Sequence, residues 1–297
     1  HPMIGMERPW DYRNHVQLKV GPEGQLGYQG LRSHVIVPVD HCPIAHPLVR
    51  EIWAALELDF PSLMDISLRA GTPTGEQMVI FEGSGGVPAL EVDMPVSCLY
   101  QLDNGELVIM AGKSYYHEKL GGRIWRISAP SFFQVNTAQA ERMLGIVGTW
   151  PALHPEGSLL DAYCGVGTFA LTFAAQGAHV IGLEESPWAI QDALVNRHTD
   201  ENAEFIEGRV EDVLPSLDKR FDVVLLDPPR AGCAPIVLKA LVEVAPRHIV
   251  YVSCDPVTFA RDIAYLSLHS YRLVEVQPID MFPQTYHIEC VARMERR

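Results

Sequence analysis

From Ser158 to Leu266 short apolar, β-branched runs alternate with helical patterns, and this alternation restricts the fold more than any other feature. The runs Ser158–Tyr163, His179–Leu183, Ala203–Ile206, Phe221–Leu226 and His248–Val252 read as strands. Phe169–Ala175, Pro187–Arg197, Pro235–Val244 and Pro256–Leu266 read as helices. Repeated β-α units build a parallel sheet covered by helices on both faces, with ligands at the carboxyl ends of its strands. Two further strands, Tyr271–Pro278 and His287–Met294, have no helix between them and predict a terminal antiparallel hairpin.

The preceding half reads differently. Val16–Val20 and Leu26–Gln29, Leu63–Arg69 and Gln77–Phe81, and Cys98–Leu102 and Leu107–Met110 each flank a turn-forming segment, the last being Asp-Asn-Gly. One helix is expected over Pro47–Leu56. The expected organisation is thus a smaller, mostly antiparallel β (α+β) domain over residues 1–127, then an α/β, Rossmann-like domain over 128–297.

Leu159 to Phe169 is an apolar strand entering a turn with Gly165 and Gly167, which let a backbone approach a ligand at a helix start. Glu184, nineteen residues after Gly165, ends the next strand, where a carboxylate can accept both hydroxyls of an adenosine ribose. This fits NAD or S-adenosylmethionine (SAM); Asp161, opening the loop, favours a cofactor with a positive amino group. Asp227-Pro-Pro-Arg230 ends the strand Phe221–Leu226 and directs Asp227 at the crevice. Cys254 leaves the fifth strand just before a helix marked by Asp255-Pro256, where the helix dipole should favour a nucleophilic thiolate. His287 and Glu289, two apart on a predicted strand, should share a face, with Glu289 a general base. Cys164, Cys233 and Cys290 read as packing or loop residues.

Together, Asp161-Ala-Tyr-Cys-Gly-Val-Gly-Thr-Phe169, Asp227-Pro-Pro-Arg-Ala-Gly232, Val252-Ser-Cys-Asp-Pro256 and Asp280-Met-Phe-Pro-Gln-Thr-Tyr-His-Ile-Glu289 resemble the SAM-dependent RNA uracil-5 methyltransferases. Ser131-Phe-Phe-Gln134 is similar to the segment leading into that family's catalytic domain. The resemblance implies a class I methyltransferase fold, RNA (rRNA or tRNA) as substrate, and SAM contacts from Gln134, Tyr163, Glu184 and Asp227. Cys254 would be the nucleophile and Glu289 the base. A cytoplasmic location, read from the cysteine usage, and a monomer are the expected states. Many members carry an iron–sulfur cluster on four cysteines. Cys42 resembles the last of the four, but nothing before it supplies the others, so this chain cannot build the cluster. The start at His1-Pro2 then reads as that of a fragment without its first domain, or of a member that has lost the cluster. No metal site is expected. The alternatives are a cytosine-C5 RNA methyltransferase, which usually places a second cysteine in the crevice, a non-catalytic RNA-binding fragment, and a dehydrogenase.

The net charge of −14 excludes a globally basic RNA-binding coat. Arg13, Lys19, Lys113, Lys119, Arg123 and Arg126 are the cationic candidates, with Tyr115 and Tyr116 available for stacking. The uncharged stretch Ala162–Leu183 contains four glycines and breaks into strand, loop, helix and strand, so it is not read as a membrane span. The absence of any Cys-X-X-Cys pair or signal peptide points to reduced thiols.

Overall fold

The computed structural model describes residues 1–30, 33–60, 62–151 and 153–297. The chain divides into two compact units. One comprises Arg8–Ala129 with Val135–Thr137; the other comprises His1–Glu7, Pro130–Gln134 and Ala138–Arg297.

The first unit runs β1 (His15–Val20), β2 (Leu26–Gln29), β3 (Ile36–Pro38), α1 (Pro47–Ala55), β4 (Leu63–Ala70), β5 (Gln77–Gly83), β6 (Val96–Gln101), β7 (Leu107–Ala111), β8 (Tyr115–Leu120) and β9 (Arg123–Ser128). Seven strands form one sheet in the order β3-β2-β1-β4-β5-β6-β7. The three expected hairpins are present. One pair departs from the antiparallel expectation: β5 and β6 are parallel. Residues 84–95 between them are too many for a tight turn and carry the chain back along the sheet, as a parallel connection requires. Helix α1 buries Val49, Ile52 and Trp53, which join Leu18, Ile66, Leu68 and Tyr100 in this unit's core. Strands β8 and β9 form a separate ribbon that buries Tyr116, Leu120, Trp125 and Ile127.

The second unit's elements are α2 (Thr137–Thr149), β10 (Ser158–Ala162), α3 (Thr168–Ala174), β11 (His179–Glu184), α4 (Pro187–Asn196), β12 (Ala203–Glu207), α5 (Val210–Val213), β13 (Val223–Leu226), α6 (Pro235–Val244), β14 (His248–Ser253), α7 (Pro256–Leu268), β15 (Tyr271–Ile279) and β16 (Glu289–Arg296). Their sheet has the order β12-β11-β10-β13-β14-β16-β15. The first five strands are parallel, and β16 runs antiparallel to both its neighbours. Helices cover both faces, so the central strands are continuously apolar; Val223, Val224, Leu225 and Leu226 are fully buried. Strand order reverses between β10 and β13, which brings the loops after these strands to a shared crevice. Helix α2 has no counterpart in the sequence reading, because Gly145 and Gly148 weaken its helical signal. Among the described residues no helix is long and apolar enough to cross a membrane.

Candidate active site at the strand ends

The loop after β10 is an internally braced turn. Tyr163, Gly165 and Gly167 all have left-handed backbones, with φ of 70°, 54° and 87°. A Cβ at Gly165 would meet nothing within 4 Å, leaving an open approach to the backbone. A Cβ at Gly167 would instead lie 3.2 Å from Leu171 and Phe205. The Glu184 carboxylate accepts the Gly165 N–H at 3.0 Å and the Ser186 N–H at 2.9 Å, so it supports the glycine turn itself. Buried Asp161 accepts the Ala170 N–H at 2.8 Å through one oxygen, so this amide in the first turn of α3 is already occupied. Its other oxygen, Oδ1, has no partner among the described residues. Burial, with Asp227 and Glu184 nearby, pushes this carboxyl well above its ordinary range. Tyr163 packs against the core, with its hydroxyl buried beside Cys233. Gln134 is half-buried at the end of a segment anchored by Ser131, whose hydroxyl donates to Asp192 at 2.7 Å.

Four reactive groups gather where β13 and β14 end and β16 begins. Cys254 follows β14 and remains half-exposed. Glu289 begins β16 beside it, because Ser253 pairs with Cys290 across the two strands. Asp227 and Arg230 follow β13, and the positive charge of the Arg230 guanidinium acts on the Cys254 thiol, opposing the upward shift of its pKa. Burial, then the charge of Asp227, holds Glu289 well above the usual carboxylate range; Arg230 opposes the shift. Burial raises Asp227 as well.

Two expectations are corrected here. Cys254 is not shifted toward thiolate: burial raises its thiol, and Glu289 and Asp227 raise it further, against Arg230. The helix start does not prevail because Asp255 already accepts the first amides of α7, those of Val257 and Thr258, at 3.0 and 2.9 Å. His287 does not share a strand face with Glu289. It lies before β16, and its ring nitrogen Nε2 is 3.2 Å from Arg230 Nη2.

The sequence reading missed a clamp on the loop bearing Asp227. Thr258 donates to the Arg230 carbonyl at 3.0 Å, and Arg261 donates to the carbonyls of Ala231 and Cys233 at 2.9 and 3.2 Å. Asp262, fully buried, accepts the Cys233 N–H at 2.8 Å and the Tyr251 hydroxyl at 2.6 Å. A Cβ at Gly232 would lie 2.6 Å from Asp262 Oδ2, which explains a glycine there. Thr258, Arg261 and Asp262 fall at i, i+3 and i+4, a polar stripe on one face of an otherwise apolar helical pattern. That stripe was the available signal.

The first unit carries a separate cationic cluster. On the β8–β9 ribbon the Arg126 guanidinium lies 4.4 Å and the Lys113 ammonium 5.6 Å from the Tyr115 ring centre. Arg123 stands 5.2 Å over Trp125. Tyr116, expected to be available for stacking, is buried. Lys19 is paired with Asp65, and Arg13 donates to the His15 carbonyl at 2.9 Å. Cys42 is buried in this unit's core, and no group of metal-ligating side chains occurs among the described residues.

Comparison with known proteins now adds to this geometry. Residues 108–297 match the family model for tRNA (uracil-5-)-methyltransferases. The chain belongs to that family. An uncharacterized RNA methyltransferase of Thermosynechococcus vestitus is 35% identical over 327 residues, covering 98% of this chain and 73% of the relative. A similar relative from Listeria monocytogenes is 36% identical, covering 99% and 73%. The crystal structure of Pyrococcus abyssi tRNA (uracil-54, C5)-methyltransferase in complex with S-adenosyl-L-homocysteine superposes with a TM-score of 0.82 at 31% identity. It covers 98% of this chain and 78% of that one. The chain is therefore a SAM-dependent RNA methyltransferase with the class I methyltransferase architecture, as its motifs implied.

Proposed function

We propose that the protein methylates C5 of a uridine in structured RNA through a covalent adduct between Cys254 and C6 of the base. The observation that carries this reading is the meeting of Cys254, Glu289, Asp227 and Arg230 at one end of the sheet. A resting thiol with a raised pKa must give its proton to solvent to become a nucleophile, and the nearby positive charge of Arg230 favours the thiolate that forms. Addition at C6 makes C5 an enolate-like carbon. When bound, SAM supplies the methyl group to that carbon. Glu289 then takes the C5 proton, and the electron pair left behind expels the sulfur and restores the ring. A carboxylate with a raised pKa is the stronger base for that step. The target base must be unstacked to reach the crevice.

The residues present fit SAM. Gly165 leaves an open backbone approach, Glu184 stands at the turn, and Asp161 keeps a buried oxygen unpartnered beside Asp227. Gln134, Tyr163, Gly165, Gly167, Glu184 and Asp227 are the proposed cofactor contacts. Tyr163, whose hydroxyl is committed to the core, would contribute through its backbone. We assign residues 128–297 to catalysis and 1–127 to RNA binding, with Lys113, Tyr115 and Arg126 as a local cationic and aromatic contact on a chain of net charge −14. A cytosine-C5 enzyme is disfavoured, since Cys233 is buried and its thiol is pushed up to about 12.

The test is incubation with SAM and RNA bearing 5-fluorouridine. Fluorine blocks the final proton removal, so a denaturation-resistant adduct should accumulate, and Cys254→Ala should abolish both adduct and turnover. Glu289→Gln should let the adduct build up on ordinary RNA. Failure of the unmodified protein to form any adduct with 5-fluorouridine RNA refutes the mechanism.

A further inference from the structure

Near the reactive cluster the segment between β15 and β16 carries an aromatic surface that none of these steps uses. Tyr286 is 77% exposed, yet its ring is not loose: it lies 4.1 Å from the His287 ring, centre to centre, at an interplanar angle of 39°. Phe282 backs His287 edge-on, with centres 5.9 Å apart and planes at 72°. The segment is locally fixed. The Thr285 hydroxyl and N–H donate to the Phe282 carbonyl at 2.7 and 3.1 Å, and the His287 N–H donates to the Thr285 hydroxyl at 3.3 Å. Arg230 connects this surface to the reactive cluster: its Nη2 lies 3.2 Å from His287 Nε2, and its charge acts on the Cys254 thiol.

A tyrosine ring with one face leaning on an imidazole and most of its surface in water is suited to one more flat partner. The substrate class of this family is RNA, whose unpaired bases stack on aromatic side chains, with cations close by to meet the phosphates. Arg230 is the exposed cation at this position. We propose that Tyr286 and His287 form a stacking platform for an unpaired base flanking the target nucleotide. This rests on the reading that the target base enters beside Cys254. Since every base has a π-face, such a platform would fix how far the neighbouring nucleotide sits from the nucleophile rather than which base it is.

The experiment uses the full-length protein and RNA purified from cells in which its gene is deleted. Tyr286→Ala should weaken RNA retention on filters, and raise the KM for RNA, by roughly 5- to 160-fold, the range expected for losing one stacked base. SAM affinity and kcat at saturating RNA should stay within about twofold of the parent. Tyr286→Phe keeps the ring and should behave as the parent does. Ultraviolet crosslinking should map a nucleotide to the peptide spanning Phe282–Ile288. The platform is refuted if Tyr286→Ala retains RNA like the parent, if Tyr286→Phe loses as much as Tyr286→Ala, or if that peptide never crosslinks. Filter retention does not depend on the product. A protein that uses the platform but yields no 5-methyluridine would therefore sink the uridine reading and leave the platform standing.

Discussion

Asp262 is not among the groups proposed to react, yet removing its fully buried carboxylate should be among the costliest single changes in the second unit. Its Oδ2 accepts two donors, the Cys233 N–H at 2.8 Å and the Tyr251 hydroxyl at 2.6 Å, while Oδ1 accepts from Arg261 Nε at 2.8 Å. Hydrogen bonds to a charged group contribute about 1.5–3 kcal/mol each, and an orphaned buried donor costs about 1–3 kcal/mol. Asp262→Ala strands two such donors, for an expected loss of about 3–5 kcal/mol. Asp262→Asn can keep its oxygen at the Oδ2 position and lose only the bond to half-exposed Arg261, for about 1–2 kcal/mol. Urea denaturation and calorimetry of the full-length protein should show this order, with Asp262→Ala lowering Tm by roughly 10 °C. The Asp227–Arg230 loop would be released in the alanine variant, so methyl transfer should fall more steeply than SAM affinity. If Asp262→Ala cost less than about 1 kcal/mol, or Asp262→Asn cost as much, the clamp would not be what holds that loop.

Two further outcomes are expected. Gly167→Ala should destabilise by about 2–4 kcal/mol in calorimetry, because it combines a left-handed backbone at φ of 87° with a Cβ 3.2 Å from Leu171 and Phe205; an unchanged Tm would refute that reasoning. The raised pKa values of Asp227 and Glu289 mean that the folded state holds protons more tightly than the unfolded chain. Their penalty is absent below the ordinary carboxylate range and grows as pH rises toward the folded pKa values, so stability should decline across that window. Activity should rise over the same window as the base ionises. Glu289→Gln should flatten the stability decline in Tm-against-pH profiles, and a slope equal to the parent's would count against the shift.

Much of this was legible because strands buried on both faces leave unbroken apolar runs. Val223–Leu226 and His248–Ser253 could hardly be anything else, and their ends located Asp227 and Cys254. What the letters did not show depends on groups meeting from distant segments. The Cys254 pKa is set by Glu289, Asp227 and burial, and these override the local helix start that sequence reasoning weighed. His287 is held by Arg230 and Phe282 rather than by strand pairing, so a two-residue periodicity misplaced it. Glu118, on which the sequence analysis is silent, is fully buried and accepts from Asn14, Thr72, Thr137 and the Lys119 amide. The parallel pairing of β5 with β6 turned on the length of a connection rather than on either strand.

The proposed nucleophile and base are delivered by two ribbons lying side by side in opposite directions, joined where Ser253 faces Cys290. Because side chains alternate sides along a strand, sliding β16 by a single position would turn Glu289 away and present a sulfur in its stead. One inserted or deleted residue that forces this slip should therefore silence proton removal and, because Val291, Ala292 and Met294 are fully buried, should also lower Tm. An insertion of the same size among the preceding loop residues would be absorbed.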